Sequence, residues 1–134
     1  MPFVLDASVA ACWGLADEDH AVAELAISMI QSDAALAPDL LWFELRNILM
    51  VAERRKRITE ADTRQFLRRF ADLGITLDRF PHEDAVLGLA RSQRLSVYDA
   101  SYLELAQRER LPLATLDKDL ARAARAEGVT LLGE

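Results

Sequence analysis

Asp99 is an acidic residue at a position that helical periodicity assigns to the core. In the stretch 95–106, helical spacing places Leu95, Tyr102 and Leu103 beside Asp99 on a mostly apolar stripe. Burying a carboxylate without a partner costs several kcal/mol. Because Asp99 also lies near the predicted start of its helix, an N-terminal capping role is the plain alternative. Asp99 is therefore either a helix-start residue or a functional acid, and the rest of the chain must distinguish the two.

Glu44 is a second acid on an apolar stripe. The spacing predicts a helix over residues 39–54, which leaves Glu44 in the helix interior with no free backbone N–H to cap. The residues three and four positions away are mostly apolar: Leu40, Leu41, Asn47 and Ile48. An ion pair with Arg46 is the structural alternative, but Arg46 points to another side of the helix. A functional role is therefore the better interpretation of Glu44.

Asp6 and Asp117 each follow a short apolar run that predicts a buried strand, over residues 3–5 and 113–116. In open parallel α/β sheets, ligands bind outside the carboxyl ends of the strands. Either residue can instead cap the helix that follows, and for Asp117 alone capping is the better interpretation. The topology nevertheless predicts that both carboxylates lie at one edge of the sheet.

Four carboxylates that converge would repel one another and raise each other's pKa. A divalent cation offsets this repulsion, and hard oxygen ligands in an apolar shell suit Mg²⁺ or Mn²⁺. Such an ion lowers the pKa of a bound water, which can then hydrolyse a phosphodiester. The sequence has no evident Ser–His or Cys–His pair and no glycine-rich phosphate loop. These residues therefore favour metal-dependent hydrolysis over nucleophilic side-chain chemistry.

The elements that must position these acids alternate along the chain. No internal repeat or low-complexity linker interrupts them, and the acidic triplet 17–19 is expected to end the first helix. Glu104 lies well round its helix from Asp99 and is expected to face water. The pattern predicts a three-layer α/β/α fold with a mainly parallel central sheet in one domain, 1–134. The predicted strands are 3–5, 34–37, 75–77, 113–116 and 129–132; the predicted helices begin near 6, 20, 39, 59, 82, 95 and 117.

Composition sets the class of protein. With 134 residues, 51% of them hydrophobic, the chain can bury a substantial core, so one domain is expected and extensive disorder is not. No apolar run reaches the length of a membrane span, and the N-terminus lacks a signal-peptide pattern. Cys12 is the single cysteine and is expected in the core, so an intramolecular disulfide and a cysteine zinc site are excluded. A cytoplasmic protein is the expectation.

The net charge of −6 is unfavourable for a nucleic-acid-binding protein, but the charge is unevenly distributed. Residues 53–70 contain seven basic and three acidic side chains, a net +4, which leaves −10 elsewhere. A solvated helix face is the plain interpretation of this segment. The alternative is a surface for RNA phosphates or an acidic partner, with Arg64, Arg68 and Arg69 as the candidate contacts.

Four blocks of the sequence together resemble the PIN-domain ribonucleases, and more narrowly the VapC toxins of type II toxin–antitoxin pairs. The blocks are VLDAS at 4–8, PDLLWFELRNIL at 38–49, YDASYLELA at 98–106 and LATLDKDL at 113–120. They occur in the family's order and at its usual intervals. The resemblance spans essentially the whole chain and implies a PIN-like three-layer fold.

The resemblance also implies roles for particular residues. It makes Asp6, Glu44, Asp99 and Asp117 the acidic site that binds Mg²⁺ or Mn²⁺ and carries catalysis. It gives supporting roles to Ser8, Thr115, Asn47 and Asp119, the last as a reserve ligand or merely a first-turn helix acid.

The partners follow from the same resemblance. It implies an RNA substrate, a homodimer, and a VapB-type antitoxin whose C-terminal segment blocks the groove, giving a heterotetramer or larger assembly. A catalytically inactive PIN-like module that binds RNA or protein is the main alternative, although all four acids are present. A phosphatase-like phosphotransfer domain would need a second aspartate two residues after Asp6, where this chain has Ser8. A phospho-receiver would need an acidic pair beside a phospho-accepting aspartate at the end of a middle strand, an arrangement that the sequence does not show.

Overall fold

The computed structural model describes residues 1–15 and 20–134, so the predicted helix end at 17–19 lies outside the described residues. Helices and strands alternate in the described part much as the sequence predicts. The strands are β1 (Phe3–Leu5), β2 (Ala35–Pro38), β3 (Thr76–Asp78) and β4 (Leu113–Ala114). The helices are α1 (Ala7–Cys12), α2 (Ala21–Met29), α3 (Leu41–Arg54), α4 (Glu60–Asp72), α5 (Glu83–Gln93), α6 (Val97–Glu109) and α7 (Lys118–Ala126).

The four strands form one parallel sheet in the order β3-β2-β1-β4. Phe3 of β1 is in register with Ala35 of β2, and Leu5 of β1 with Ala114 of β4. Since the strands are parallel, their carboxyl ends meet at one edge. The loops that follow β1 and β4 therefore begin side by side, which is the geometry that a shared acidic site requires.

Helices cover the sheet on both faces, and the predicted three-layer α/β/α fold is confirmed. Helix α6 packs on β1, β2 and β4 and is flanked by α5 and α7, whereas α1 packs against α2 and α3. All three residues of β1 are fully buried, and each large apolar side chain so buried stabilises the fold by about 1.5–3 kcal/mol. Cys12 is buried, as predicted. Among the described helices, none combines the length and apolar composition of a membrane span.

Local signals define the boundaries of α4. The Thr59 hydroxyl accepts a hydrogen bond from the backbone N–H of Asp62 at 3.1 Å, and the Asp62 carboxylate accepts from the Thr59 N–H at 2.9 Å. This capping box satisfies two N–H groups at the start of the helix. Gly74 follows the end of the helix with a φ of +69°, a conformation that glycine adopts without strain. Both predicted boundaries are confirmed.

The predicted strand at 129–132 is wrong. Leu131 forms a single parallel bridge with Leu113, and no further ladder follows among the described residues. Gly128 and Gly133 on either side have φ values of +74° and +91°. The chain therefore turns at both ends of a segment too short to form more than one bridge.

Glu104 does not face water as predicted; it is only 3% exposed. Arg108 donates to its carboxylate from Nε at 2.7 Å and also donates to Asp78 at 2.8 Å, while the backbone N–H of His82 approaches Glu104 Oε1 at 3.3 Å. The hydrogen bonds that Arg108 donates to Glu104 and Asp78 raise its pKa. Glu104 is thus a buried acid whose charge is neutralised, and α6 is covered on the side that the sequence assigned to solvent.

Candidate active site

Asp6 lies directly after β1 and caps the next helix. Its Oδ1 accepts the backbone N–H of Val9 at 3.1 Å and the Ser8 hydroxyl at 2.7 Å. Capping is therefore a real local role of Asp6, as its position in the sequence allowed. At the same time, its own N–H donates to the carbonyl of Ala114 on the neighbouring strand at 3.1 Å, which fixes the residue at the carboxyl edge of the sheet.

Two hydroxyl groups join Asp6 to the loop after β4. The Thr115 hydroxyl donates to Oδ2 of Asp6, and the Ser8 hydroxyl accepts the backbone N–H of Leu116 at 2.9 Å. Thr115 also accepts the N–H of Asp117 at 3.0 Å. Ser8 and Thr115, to which the resemblance assigns supporting roles, thus both contact Asp6. They hold the two strand ends, and with them Asp6 and Asp117, in a fixed relation.

Asp117 is the N-cap of α7, as the capping interpretation stated: its Oδ1 accepts the N–H of Leu120 at 2.9 Å. The cap uses one carboxylate oxygen, and Oδ2 accepts no hydrogen bond from any described residue. Burial is the main cause of the raised pKa of Asp6 and of Asp99, and the negative charge of Asp117 adds to both. A capping residue therefore also contributes charge to the site.

Glu44 lies in the first turn of α3, because this helix begins at Leu41 rather than at Asp39. The expectation of a mid-helix position is wrong. The backbone N–H of Glu44 is nevertheless not free, as expected, because it donates to the carbonyl of Leu40 at 3.0 Å. The carboxylate accepts the Tyr102 hydroxyl on Oε1 at 2.6 Å. Burial, and to a lesser extent the charge of Asp99, raises the pKa of Glu44. Glu44 is a partly buried acid that faces α6.

Asp99 lies in the first turn of α6, where Ser96 is the N-cap and accepts the N–H of Asp99 at 3.0 Å. The helix-start alternative is thus right about its position, but Ser96 performs the capping. Partial burial and the charges of Asp117 and Asp119 raise the pKa of Asp99. Its carboxylate therefore adds a negative charge to the site, although a hydrogen bond with the Ser96 side chain partly offsets the rise in its pKa.

The four acids form one electrostatic group. Burial raises the pKa of Asp6 from 3.8 to about 6 even though three hydrogen bonds lower it. Repulsion links Asp6 to Asp117, Asp117 to Asp99, and Asp99 to Glu44. Tyr102 is next to this group, and its burial together with the nearby carboxylates raises its pKa, so its hydroxyl stays protonated. The edge of the sheet thus carries excess negative charge in a poorly solvated place.

The donor set fits a hydrated divalent cation. Within the described residues, no three acidic, histidine or cysteine side chains lie close enough together to form a ready-made metal cage. Mg²⁺ does not require one, since it usually keeps several waters and takes one or two carboxylates. The repulsion among the acids is what such an ion would relieve, and every donor is an oxygen. Asp6, Glu44, Asp99 and Asp117 are the residues that would hold it.

The family model of the PIN domain matches residues 3–126. The chain belongs to the PIN domain family. It is 31% identical over 124 residues to Ribonuclease VapC3 of Pyrobaculum aerophilum, covering 90% of this chain and 93% of that protein. It also resembles the crystal structure of PAE2754 from Pyrobaculum aerophilum, with a TM-score of 0.70 and 26% identity over 92% of this chain and 87% of that one. The family resemblance read from the sequence is confirmed.

The other predicted site residues of this PIN domain lie at the margin of the acidic group or away from it. Asn47 is exposed and makes no hydrogen bond with Glu44 within the described residues. Asp119 is exposed in the first turn of α7 and acts on Asp99 through its charge. Arg64 is paired with Glu60.

The basic segment faces a different part of the PIN domain. Arg69 lines a cavity of about 560 Å³, and none of the four acids lines it. Among the described residues, no hydrogen bond or ion pair joins Arg64, Arg68 or Arg69 to any of those acids.

Tyr102 is the polar residue of the site that sequence interpretation missed. Its position three residues after Asp99, on the same apolar stripe, indicated only packing. A signal was present, since a buried tyrosine usually finds a hydrogen-bond partner for its hydroxyl. The partner, Glu44, lies 58 residues away, and pairing the two required knowledge of how α3 and α6 pack.

Proposed function

We propose that this PIN domain is a Mg²⁺- or Mn²⁺-dependent endoribonuclease that acts in the cytoplasm as the toxin of a VapBC-type pair. The observation that carries the proposal is the electrostatic group of Asp6, Glu44, Asp99 and Asp117 at the carboxyl edge of the sheet. The name of the relative at 31% identity, a VapC ribonuclease, supports RNA as the substrate.

The acids would have different roles in such a site. Asp6 is the most rigid acid, since Ser8, Val9 and Thr115 hold both of its oxygens. Asp99 and Glu44 are more open to solvent and would face the substrate side. A bound ion would lower the pKa of a coordinated water and stabilise the charge that develops on the phosphate. Without a cation, the same carboxylates would repel the RNA backbone.

RNA cleavage with and without EDTA tests the catalytic proposal. We expect cleavage by the wild type to stop with the chelator and to return when Mn²⁺ is added in excess. Asp6→Asn and Asp99→Asn should reduce cleavage to background, whereas Asp72→Asn, a matched change at an exposed residue of α4, should not. Activity that survives both EDTA and the two site variants would refute the metal mechanism.

An inactive PIN-like module that binds RNA or protein is the alternative. It predicts that the wild type binds RNA without cleaving it under any metal condition. The presence of all four acids, with raised pKa values at Asp6, Glu44 and Asp99, favours the enzyme.

A VapB-type antitoxin is the proposed protein partner, and the cavity that Arg69 lines suits one of its segments. Six apolar side chains surround this cavity, and Arg69 and Asp62 are among its charged lining residues. An amphipathic segment with acidic flanks fits such a surface. The apolar lining residues are Trp13, Ile27, Ile58, Phe66, Phe70 and Leu73.

Co-expression tests the partner. The wild type should inhibit growth unless the neighbouring small open reading frame is expressed with it, and Asp99→Asn should be tolerated alone. Growth that is equally good in every combination would contradict the toxin assignment.

We further propose that the chain forms a homodimer, and that it forms a heterotetramer or a larger assembly with the antitoxin. Trp42, Phe43 and Phe80 are 47%, 71% and 82% exposed. The rings of Trp42 and Phe43 are in contact, and a bond from Asp39 N to the carbonyl of Asp78 brings the segment before α3 beside the strand that precedes Phe80. Together the three side chains present on the order of 400 Å². This is about half of what one partner buries in a standard interface, so a second copy of the chain is the proposed occupant.

A further inference from the structure

The hydroxyl of Tyr102 is hydrogen-bonded to Glu44, a member of the acidic group. The tyrosine is 1% exposed, and its hydroxyl donates to Oε1 of Glu44 at 2.6 Å. A phenylalanine would fill the same space in the core, so the hydroxyl adds the bond to Glu44 and little else. Oε2 of Glu44 accepts no hydrogen bond from any described residue, which leaves one oxygen held and one available.

Helix α6 supplies both Asp99 and the group that holds Glu44. Asp99 and Tyr102 are three residues apart in α6, so the helix fixes the distance between them and places them on one side. Glu44 comes from α3, and its bond to Tyr102 is the direct side-chain link between the two acid-bearing helices in the site. The bond therefore fixes one oxygen of Glu44 relative to α6, the helix that carries Asp99.

We propose that Tyr102 is a positioning residue for the metal: it holds Oε1 of Glu44 so that Oε2 is presented to the cation together with Asp99. This inference rests on the proposed metal-dependent function. Groups that orient a metal ligand from behind typically change metal affinity by about 10–100-fold when they are removed. Tyr102 belongs to this class, because it contacts a ligand and not the metal or the substrate.

Mn²⁺ binding to the full-length protein is the test, measured by calorimetry and by the EPR signal of free Mn²⁺ in the absence of RNA. We expect Tyr102→Phe to raise the Kd for Mn²⁺ about 10-fold while the urea-unfolding midpoint of the metal-free protein changes little. Tyr98→Phe removes an exposed hydroxyl from the same helix and should leave the Kd unchanged. In a Glu44→Gln background, Tyr102→Phe should have no further effect, since its action runs through Glu44.

RNA cleavage gives a second measurement with a distinct signature. A positioning role predicts a lower kcat for Tyr102→Phe, an unchanged KM for RNA, and recovery of the rate at higher Mn²⁺. If Tyr102→Phe does not fold, a crystal structure of the wild type with Mn²⁺ replaces it. That structure should show Glu44 bound to the ion through the oxygen that Tyr102 does not hold.

The outcomes separate the two proposals. If the wild type binds Mn²⁺ and Tyr102→Phe binds it equally well, with the same metal dependence of cleavage, the role of Tyr102 is refuted and the proposed function stands. A crystal structure in which Glu44 binds Mn²⁺ through both oxygens, with its bond to Tyr102 broken, would also refute the role of Tyr102 and leave the proposed function standing. A wild type that neither binds Mn²⁺ nor cleaves RNA overturns the proposed function and this inference with it.

Discussion

The hydroxyl of Thr115 donates a hydrogen bond to the carboxylate of Asp6, 109 residues earlier in the chain. The two residues meet because β1 and β4 are paired in parallel and each residue follows one of these strands. Burial affects the pKa of Asp6 more than this hydrogen bond does: Asp6 is 4% exposed, and its pKa is raised to about 6. Asp6 is therefore a buried site aspartate that is protonated in weak acid, where an ordinary aspartate is charged.

Folding stability is expected to fall as the pH rises from about 4 to about 6. In this window the native state keeps the Asp6 proton that the unfolded chain has already released, so the native state binds more protons. The rise in the pKa of Asp6 from 3.8 to about 6 corresponds to roughly 3 kcal/mol in the free energy of unfolding. This stabilisation is present below about pH 4 and lost above about pH 6. The raised pKa values of Glu44 and Asp99 act with the same sign.

Urea unfolding of the metal-free protein at a series of pH values measures this slope. Asp6→Asn cannot titrate, so most of the decrease should disappear in that variant. The decrease should persist in Asp72→Asn. A variant Asp6→Asn with the wild-type slope would show that Asp6 titrates normally.

Gly14 is predicted to be required by packing. A Cβ at this position would lie 2.9 Å from a ring carbon of Phe66 on α4. Gly14→Ala should therefore cost about 1–3 kcal/mol, because the ring must move. Gly88 in α5 is the matched control, since a Cβ there would meet no atom within 4 Å and alanine should gain about 0.5–1 kcal/mol. Equal midpoints for the two variants in urea would contradict the close approach of α4.

The pair of Glu104 and Arg108 gives a third prediction. Glu104 is buried, so Arg108→Met leaves a carboxylate without its cation and should cost about 3–5 kcal/mol. The double variant Glu104→Met/Arg108→Met should recover most of that loss, because the deeply buried carboxylate is gone and only the more exposed Asp78 is left without Arg108. Arg125→Met, which breaks the exposed pair with Glu134, should cost less than about 1 kcal/mol. Additive losses in the double variant, measured by urea unfolding, would contradict a coupled pair.

Much of the fold could be predicted because the relevant signals are local. The apolar run of β1 followed by Asp6, the capping box at Thr59 and the glycine at Gly74 each involve a few consecutive residues. Their conformations depend on neighbours in the chain, which the sequence displays directly. Asp6 and Asp117 show the limit of this information, since each is a genuine helix cap and also a member of the acidic group. Local sequence supports both interpretations, and only the sheet joins the two residues.

What the sequence did not reveal depends on contacts between distant elements. A helical wheel assumes one buried face, whereas every residue from Ala100 to Ala106 in α6 is buried because the sheet, α5 and α7 surround the helix. The helical wheel therefore predicts that Glu104 faces solvent and that Tyr102 serves only packing. The partner of Tyr102 is Glu44 on another helix, and no spacing rule within α6 identifies it. Glu104 pairs with Arg108 one turn further along α6, but Asp78 and His82, which complete this group, lie outside the helix.

The exposed aromatic side chains should determine the oligomeric state. We expect the wild type to sediment at about 30 kDa, twice the chain mass of 15.0 kDa, and Phe43→Ser/Phe80→Ser to sediment as a monomer. Met50→Ser is the control, since Met50 is 36% exposed further along α3. A double variant that remains dimeric in analytical ultracentrifugation would place the interface elsewhere.

The basic segment yields a prediction that separates partner binding from plain solvation. Arg69 lines the apolar cavity, and Arg68 is exposed beside it in sequence, whereas Arg64 is already paired with Glu60. Arg69→Glu should therefore weaken antitoxin binding about 10-fold, because it places a negative charge in the lining that an acidic segment would meet. Arg91→Glu on α5 makes the same charge change at an exposed position outside this cavity and should have no such effect.

The salt dependence of the RNA binding constant tests whether the same segment binds RNA. If Arg64, Arg68 and Arg69 contact phosphates, their joint reversal to glutamate should reduce the slope of log K against log salt concentration by about 2, since each phosphate contact to single-stranded RNA contributes about 0.7. An inactive Asp99→Asn background keeps the RNA intact during the measurement. If the triple variant matches its parent in both the salt slope and antitoxin affinity, the segment is a solvated helix face, because neither partner then responds to a change of six charge units.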